Sequence, residues 1–312
     1  MNYGLWFFKN KRLIASNRSL KEWKKDVPAW IRIYFFFISG ISDMRILMKM
    51  HKLIYDYYRC HASVFIDAAL QLLDSLRTPQ NEKQIQMLYN VERLFMLWDT
   101  HYSMIAGYNN FIENYEEMSL QIYPAFRFFR QAGAKRKRID HIKNEGVIRL
   151  KTDFDFWVSM NDENDGGFGL PYPPFGFRSW MCCLAEYREN AEDLKLIKEK
   201  ELLFIAPSIR EKWGLPILSE KDLNDPERLK VIAEMKKWGV WEIRKKMLAV
   251  LPPPRKKKPE PKPQPEIKLP PELQVWVDTE EMQALENEEL ERLNKMTDEE
   301  ILAELLGNEK QQ

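Results

Sequence analysis

The sequence predicts a mainly α-helical protein with a small α+β module near its centre. Long stretches repeat apolar residues at the three- and four-residue spacing of one helix face. Residues 131–183 lose that spacing and hold six of the 12 glycines, which indicates turns and short strands. Residues 252–271 contain nine prolines, which favours an extended linker. We therefore expect a helical bundle, then a Gly/Pro/aromatic α+β module, an extended Pro-rich linker and a C-terminal helix.

The expected segment boundaries follow changes in composition along the 312 residues. Stretches rich in proline, glycine or one sign of charge usually separate the compact parts of a chain. The segments are an N-terminal arm (1–28), a helical domain (29–131), the α+β module (132–200), a second helical region (201–251), a Pro/Lys-rich linker (252–271) and an acidic amphipathic tail (272–312).

Four helices are expected before the module. The first runs from Pro28 through Ile38 and is interrupted by Gly40, and the second covers residues 43–76, where apolar side chains recur on one face. Thr78 followed by Pro79 predicts the N-cap and first position of the next helix, because the N–H that proline lacks is unpaired there anyway. Another helix is expected over residues 112–130, kinked or split at Pro124.

Short strands and tight loops are expected inside the module. β-branched and aromatic residues predict strands at 147–148 and 154–158. The run GGFG at residues 166–169 lacks the Lys-Ser/Thr that follows the glycines of a phosphate-binding loop. The carboxylates at 162–165 lack the closing Glu of an EF-hand, so a solvated loop is the better interpretation.

Helices are expected again after the module. One covers residues 186–196. Asp225 before Pro226 predicts the start of another, which runs toward residue 251 and breaks at Gly239.

The charge is unevenly distributed along the chain. Residues 272–312 hold 13 acidic and 3 basic residues, a net of −10, and the whole chain carries +1, so residues 1–271 carry +11. A basic body with an acidic tail suggests that the tail interacts with the body or with a basic partner. A capping box at residues 297–300 predicts a final docking helix. Its apolar face consists of Ile301, Leu302, Leu305 and Leu306.

Cysteine usage and hydropathy argue against an extracellular or membrane protein. The three cysteines, two of them adjacent, do not form a disulfide framework, and a reducing compartment is expected. The apolar run at 31–38 is interrupted by Arg32 and is far shorter than the ~20 residues of a membrane span. We expect no membrane segment and no secretory signal.

One local set of residues could bind a metal or supply a reactive thiol. It consists of His141, Cys182 and Cys183. Adjacent cysteines are poorly spaced to chelate one zinc ion. Cys182 or Ser179 could be drawn with His141 as a catalytic set, but no G-x-S-x-G elbow is present. The sequence favours buried thiols, and no cofactor or small-molecule substrate is expected.

A dense basic patch precedes and enters the module. Lysine and arginine side chains that neutralise phosphates give sequence-independent, salt-sensitive nucleic-acid binding. The alternative interpretation is a solvated face or a docking surface for the acidic tail. The patch consists of Lys135, Arg136, Lys137 and Arg138, with Arg149 nearby.

The order of residues through the module is its most specific feature. An Arg and a His are followed by a Gly, an Asp-rich stretch ending in Phe-Trp, a Pro-Pro-x-Gly-aromatic turn and an acidic helix start. In this order and spacing, residues 138–197 resemble the Mu F-like head-morphogenesis family of minor head proteins in tailed phages. The residues that carry the resemblance are Arg138, His141, Gly146, Trp157, Pro173, Pro174, Gly176 and Phe177.

The resemblance implies a structural virion protein that is present in few copies and is made in the host cytoplasm. Its expected partners are the portal or other head proteins, with packaged double-stranded DNA as a further candidate. His141 is expected to orient a turn by hydrogen bonding and Trp157 to anchor the core of the module. Two alternatives remain: a soluble nucleic-acid adaptor that uses the basic patch, and a metal- or thiol-dependent enzyme at His141, Cys182 and Cys183.

Overall fold

A computed structural model describes residues 2–130, 139–161, 167–177, 179 and 181–251. Within these residues the chain forms fourteen α-helices, one three-stranded antiparallel sheet and one two-stranded parallel pair. The mainly α fold class with some α+β character is therefore confirmed. The linker 252–271 and the acidic tail 272–312, with its docking-helix residues Ile301, Leu302, Leu305 and Leu306, lie outside the described residues.

The expected N-terminal arm is part of the folded body. Phe7 and Phe8 are 4% and 1% exposed, and Trp23 and Val27 are also buried. Phe7 and Phe8 enter the core because the first helix packs along the longest of the described helices. The helix expected over residues 28–38 ends at Arg32, and a short strand follows it. The elements of this segment are α1 (Tyr3–Lys9), β1 (Arg12–Leu13), α2 (Leu20–Asp26), α3 (Ala29–Arg32) and β2 (Phe35–Phe36), with β1 parallel to β2.

The helical domain contains more breaks than the sequence predicted. The helix expected over residues 43–76 is two helices, and the His61 side chain accepts a hydrogen bond from the Ser63 N–H to cap the second. The helix expected at Thr78 begins only at Glu82, because the Asn81 side chain accepts from the Thr78 N–H and holds a turn there. The elements are α4 (Met44–Asp56), α5 (Ala62–Leu76), α6 (Glu82–Leu88), α7 (Val91–Asn114) and α8 (Glu117–Ile122).

Two predictions around the sheet are wrong. The helix expected through residue 130 ends earlier, and a strand follows Pro124 because Phe126 and Phe128 both turn toward the core with Arg127 exposed between them. Residues 154–158 are helical rather than extended, because the Asp153 side chain caps the Phe156 N–H. The elements are β3 (Ala125–Arg130), α9 (Ile139–Lys143), β4 (Ile148–Leu150), α10 (Phe154–Ser159) and β5 (Met181–Glu186), with strand order β4-β3-β5.

The C-terminal part of the described chain follows its local signals closely. The Asp225 side chain accepts from the Arg228 N–H, and Gly239 separates two helices with a φ of 67°. The helix expected from residue 186 begins at Arg188, since Glu186 belongs to β5. The elements are α11 (Arg188–Asp193), α12 (Pro207–Trp213), a 3-10 turn (Lys221–Asn224), α13 (Pro226–Lys237) and α14 (Trp241–Val250).

A buried ion cluster joins the last three helices. Glu211 of α12 accepts from Arg228 of α13 and from Arg244 of α14, each at 2.6 Å. All three side chains are almost fully buried. Because buried charges are costly without a partner, this carboxylate holds the three helices in register.

Two large hydrophobic clusters meet along α7. Ile105 belongs to the cluster formed with α1, α4, α5 and α6, while Tyr108 and Phe111 belong to the cluster that includes the sheet and the C-terminal helices. All described residues fall in one unit, Met1–Lys256. No helix among them is long and apolar enough to cross a bilayer.

Candidate functional site

His141 is a structural member of the module core. Its ring is 3% exposed and packs edge-to-face against Phe128, with centroids 5.6 Å apart. Its Nε2 lies 2.9 Å from the carbonyl oxygen of Met160. A carbonyl oxygen only accepts, so Nε2 carries the proton and donates. The expected orienting hydrogen bond is therefore present, and it closes the end of α10.

Trp157 anchors the same core. It is fully buried, and its Nε1–H donates to the Leu150 carbonyl at 2.9 Å. Its ring meets Phe126 edge-to-face at 5.8 Å and contacts Phe128. The indole therefore ties α10 to both β3 and the end of β4, as expected for an anchor residue.

Asn161 organises the Gly/Pro loop, and sequence reasoning missed it. Its Oδ1 accepts from the N–H groups of Phe168, Gly169 and Leu170 at 2.9–3.2 Å. Its Nδ2 donates to the Leu170 carbonyl at 2.6 Å and also to the end of α10. One buried amide therefore provides hydrogen-bond partners for the main-chain groups of a turn that has no regular hydrogen-bond ladder.

The Pro-Pro turn packs directly on α7. The peptide bond between Pro173 and Pro174 is cis. A Cβ atom at Gly107 would overlap the carbonyl oxygen of Pro173, so glycine is required at this point of the helix. Gly176 pairs with Gly167 in an antiparallel bridge. The remaining motif residues are Gly146, with a φ of 84°, and Phe177, which meets Phe168 edge-to-face at 4.7 Å.

The basic patch is only partly described. Lys135, Arg136, Lys137 and Arg138 lie outside the described residues. On the sheet, Arg127 pairs with Glu186 at 2.5 Å and Arg130 lies 3.7 Å from Glu145. Arg149 is exposed, and its guanidinium lies over the Phe156 ring at 5.2 Å. Two arginines near the patch are thus matched by carboxylates.

The two adjacent thiols lie in strand β5. Cys182 and Cys183 pair with Phe129 and Phe128 across the sheet. Burial, with a smaller effect of Cys182, raises the pKa of the Cys183 thiol well above its usual range, so this thiol is protonated at neutral pH. In the described ranges no three His, Cys, Asp or Glu side chains come together as a metal site.

Lys151 was expected beside the basic patch as one of its flanking cations, but the structure buries it. Its side chain is buried, and its Nζ donates to the main-chain and side-chain oxygens of Asn114 at 3.1 and 3.2 Å. Burial lowers the pKa of Lys151 to about 7. The two hydrogen bonds cap the C-terminus of α7. No local signal marks this pair, because 37 residues separate its members.

No protein-family model, curated protein or solved structure matches this chain. A function for this chain is therefore inferred from the arrangement of its own side chains.

Proposed function

We propose that this chain is a structural, non-enzymatic minor head protein of a tailed phage, which associates with the portal or other head proteins. The observation that supports the proposal best is the convergence of the motif residues on one core. His141 and Trp157 are buried together around Phe128, beside Phe175, the residue between Pro174 and Gly176 of the turn. A catalytic constellation needs polar groups that converge on accessible space, whereas here His141 Nε2 and Trp157 Nε1 both donate to main-chain carbonyls.

An exposed apolar segment offers a partner surface. Leu202 and Phe204 are 76% and 65% exposed, while Leu203 and Ile205 point inward. The Gln121 side chain bonds both the N–H and the carbonyl of Leu203, so the segment is fixed in place. Large exposed apolar side chains held on a rigid segment are typical of protein–protein contacts.

Particle composition tests the proposal directly. Mass spectrometry of density-purified phage particles from the source of this sequence is expected to find this chain at low copy beside the portal. A chain that is absent both from mature particles and from assembly intermediates would contradict a head-protein function.

The apolar segment gives a matched variant test. Replacing Leu202→Ser together with Phe204→Ser is expected to reduce incorporation into particles at least about tenfold, because the partner loses two buried anchors. Met118→Ser is the control, since Met118 is equally exposed at 65% but lies on α8. Equal incorporation of both variants would remove this segment from the proposed interface.

A soluble nucleic-acid adaptor is the second proposal, supported by the exposed Arg149 and by the net charge of +11 on residues 1–271. A gel shift with duplex DNA is expected to weaken steeply with salt. It is also expected to disappear when Lys135, Arg136, Lys137 and Arg138 are all changed to Ala. A shift that survives this change would exclude the patch as the binding surface.

A further inference from the structure

A cavity lies where the two hydrophobic clusters meet. Its volume is ≈ 470 Å³, within the range of roughly 300–1,000 Å³ that small-molecule sites occupy. Helices α1 and α7 form two of its walls, and α2, α3 and the chain around β2 form another. Phe168 and Tyr172 of the Gly/Pro loop complete it.

The walls of this cavity are apolar, and its charged groups are all cationic. No Asp or Glu of the described ranges lines it. Arg93 donates to the Ser39 and Met87 carbonyls, and Arg32 donates to the Val27 and Phe168 carbonyls. The cationic and imidazole side chains along the walls are Lys11, Lys24, Arg32, Arg93 and His101.

Lys11 is the cation with the least compensation. Among the described residues its ammonium has no hydrogen-bond or ion-pair partner, and it lies over the rings of Phe7 and Phe8 at 5.5 and 5.9 Å. Burial lowers the pKa of Lys11 to about 8. An ammonium that has lost its water and lies against aromatic rings is strongly stabilised when an anion binds to it.

His101 supplies a second polar group whose hydrogen bonding is incomplete. It lines the cavity, is 8% exposed, and its Nδ1 has no hydrogen-bond partner among the residues that the structure describes. Its ring is held between Phe8 and Phe36, with centroids 5.3 and 5.1 Å away. An unpaired buried polar atom costs roughly 1–3 kcal/mol, so such an atom in a cavity wall indicates a bound partner.

We propose that the cavity binds an amphiphilic carboxylate, a single alkyl chain with one anionic head, as in a long-chain fatty acid. The head lies against Lys11 and His101, and the chain lies along the apolar walls that α7, α2 and the chain around β2 contribute. A folded peptide segment fits poorly, because one helix is about 10–12 Å across with its side chains. The ligand is bound and not converted. This inference rests on the cavity alone and is independent of the head-protein proposal.

Fluorescence titration of the full chain with cis-parinaric acid tests the site, with the corresponding alcohol as the uncharged comparison. Saturable binding of one equivalent is expected for the acid. Lys11→Met keeps the apolar stem and removes the charge, so affinity for the acid is expected to fall about tenfold while affinity for the alcohol stays unchanged. Lys9→Met is the matched control, since Lys9 is an exposed lysine at the end of α1, two residues before Lys11, and does not line the cavity.

A filling variant separates the cavity from the outer surface. Met104 lines the cavity, and Met104→Trp is expected to abolish binding of both probes with the unfolding transition retained. Equal affinity for acid and alcohol, no saturable binding, or full binding by Met104→Trp would each overturn the proposal. Displacement of the probe by a peptide of residues 297–306, but not by palmitate, would assign the cavity to a peptide and overturn it as well.

Discussion

Single buried polar residues determine much of the local behaviour of this chain. Lys151 caps α7 across 37 residues of sequence, and Asn161 holds the Gly/Pro loop with both ends of one amide. His141 donates to a main-chain carbonyl inside an aromatic core. Each of these side chains is buried and hydrogen-bonded. Each therefore favours one particular packing of the core, although its burial costs desolvation free energy.

Lys151 predicts a pH dependence of stability. Its pKa is about 7 in the folded chain against 10.5 for an ordinary lysine, so between these values the unfolded chain binds more protons. The free energy of unfolding is therefore expected to rise with pH between about 7 and 9. Urea unfolding of Lys151→Met at pH 7, 8 and 9 is expected to show a smaller rise. Lys143→Met, at an exposed lysine, is the control and should keep the wild-type slope.

Asn161→Asp is expected to destabilise the module by about 1–3 kcal/mol, because a carboxylate cannot donate to the Leu170 carbonyl and repels it instead. Chemical unfolding followed by tryptophan fluorescence measures the change. Asn110→Asp, on an exposed face of α7, is the matched control. A loss no larger than that of the control would show that the loop does not depend on this amide.

At the level of elements, α7 is the organising helix. It contacts α1, α5 and α8 and carries residues of both hydrophobic clusters. At Gly107 the helix backbone approaches the Pro173 carbonyl too closely for any side chain. The Gly/Pro loop is therefore positioned by a helix distant from it in sequence.

Gly107→Ala is expected to cost about 1–3 kcal/mol or more, although alanine is the better helix former, because its methyl group meets main-chain atoms that cannot rotate away. Thermal unfolding by circular dichroism measures the change. Ser103→Ala, one turn earlier in α7, is the control and should be neutral or slightly stabilising. A neutral Gly107→Ala would mean that the loop moves away from α7 without cost.

At the level of the whole molecule, the N-terminal helices, the central module and the C-terminal helices belong to one unit. The C-terminal helices depend on Glu211, which two arginines bond at 2.6 Å. Arg210 is also buried, and it donates to the Pro216 carbonyl at 3.1 Å.

Glu211→Gln is expected to destabilise the folded chain by about 3–5 kcal/mol, since it leaves Arg228 and Arg244 buried without a counter-charge. Equilibrium urea unfolding provides the measurement. Glu242→Gln removes a carboxylate from the exposed pair with Lys245 and is expected to change stability by less than about 1 kcal/mol. Similar losses in the two variants would contradict a structural function for the buried cluster.

The sequence by itself determined the features that depend on interactions between residues close together in the chain. The helical class, the Asp225 cap, the break at Gly239 and the orienting and anchoring functions of His141 and Trp157 could all be predicted, because caps, glycines and apolar spacing act within a few residues. The tertiary structure alone decided that a strand follows Pro124, that Phe8 of the supposed arm is core, and that residues 154–158 are helical. It also decided the positions of Lys151, Asn161, Glu211 and Lys11. The residues that surround these side chains are far away in the sequence. Burial and hydrogen bonding between such distant residues produce no local sequence pattern from which they could be predicted.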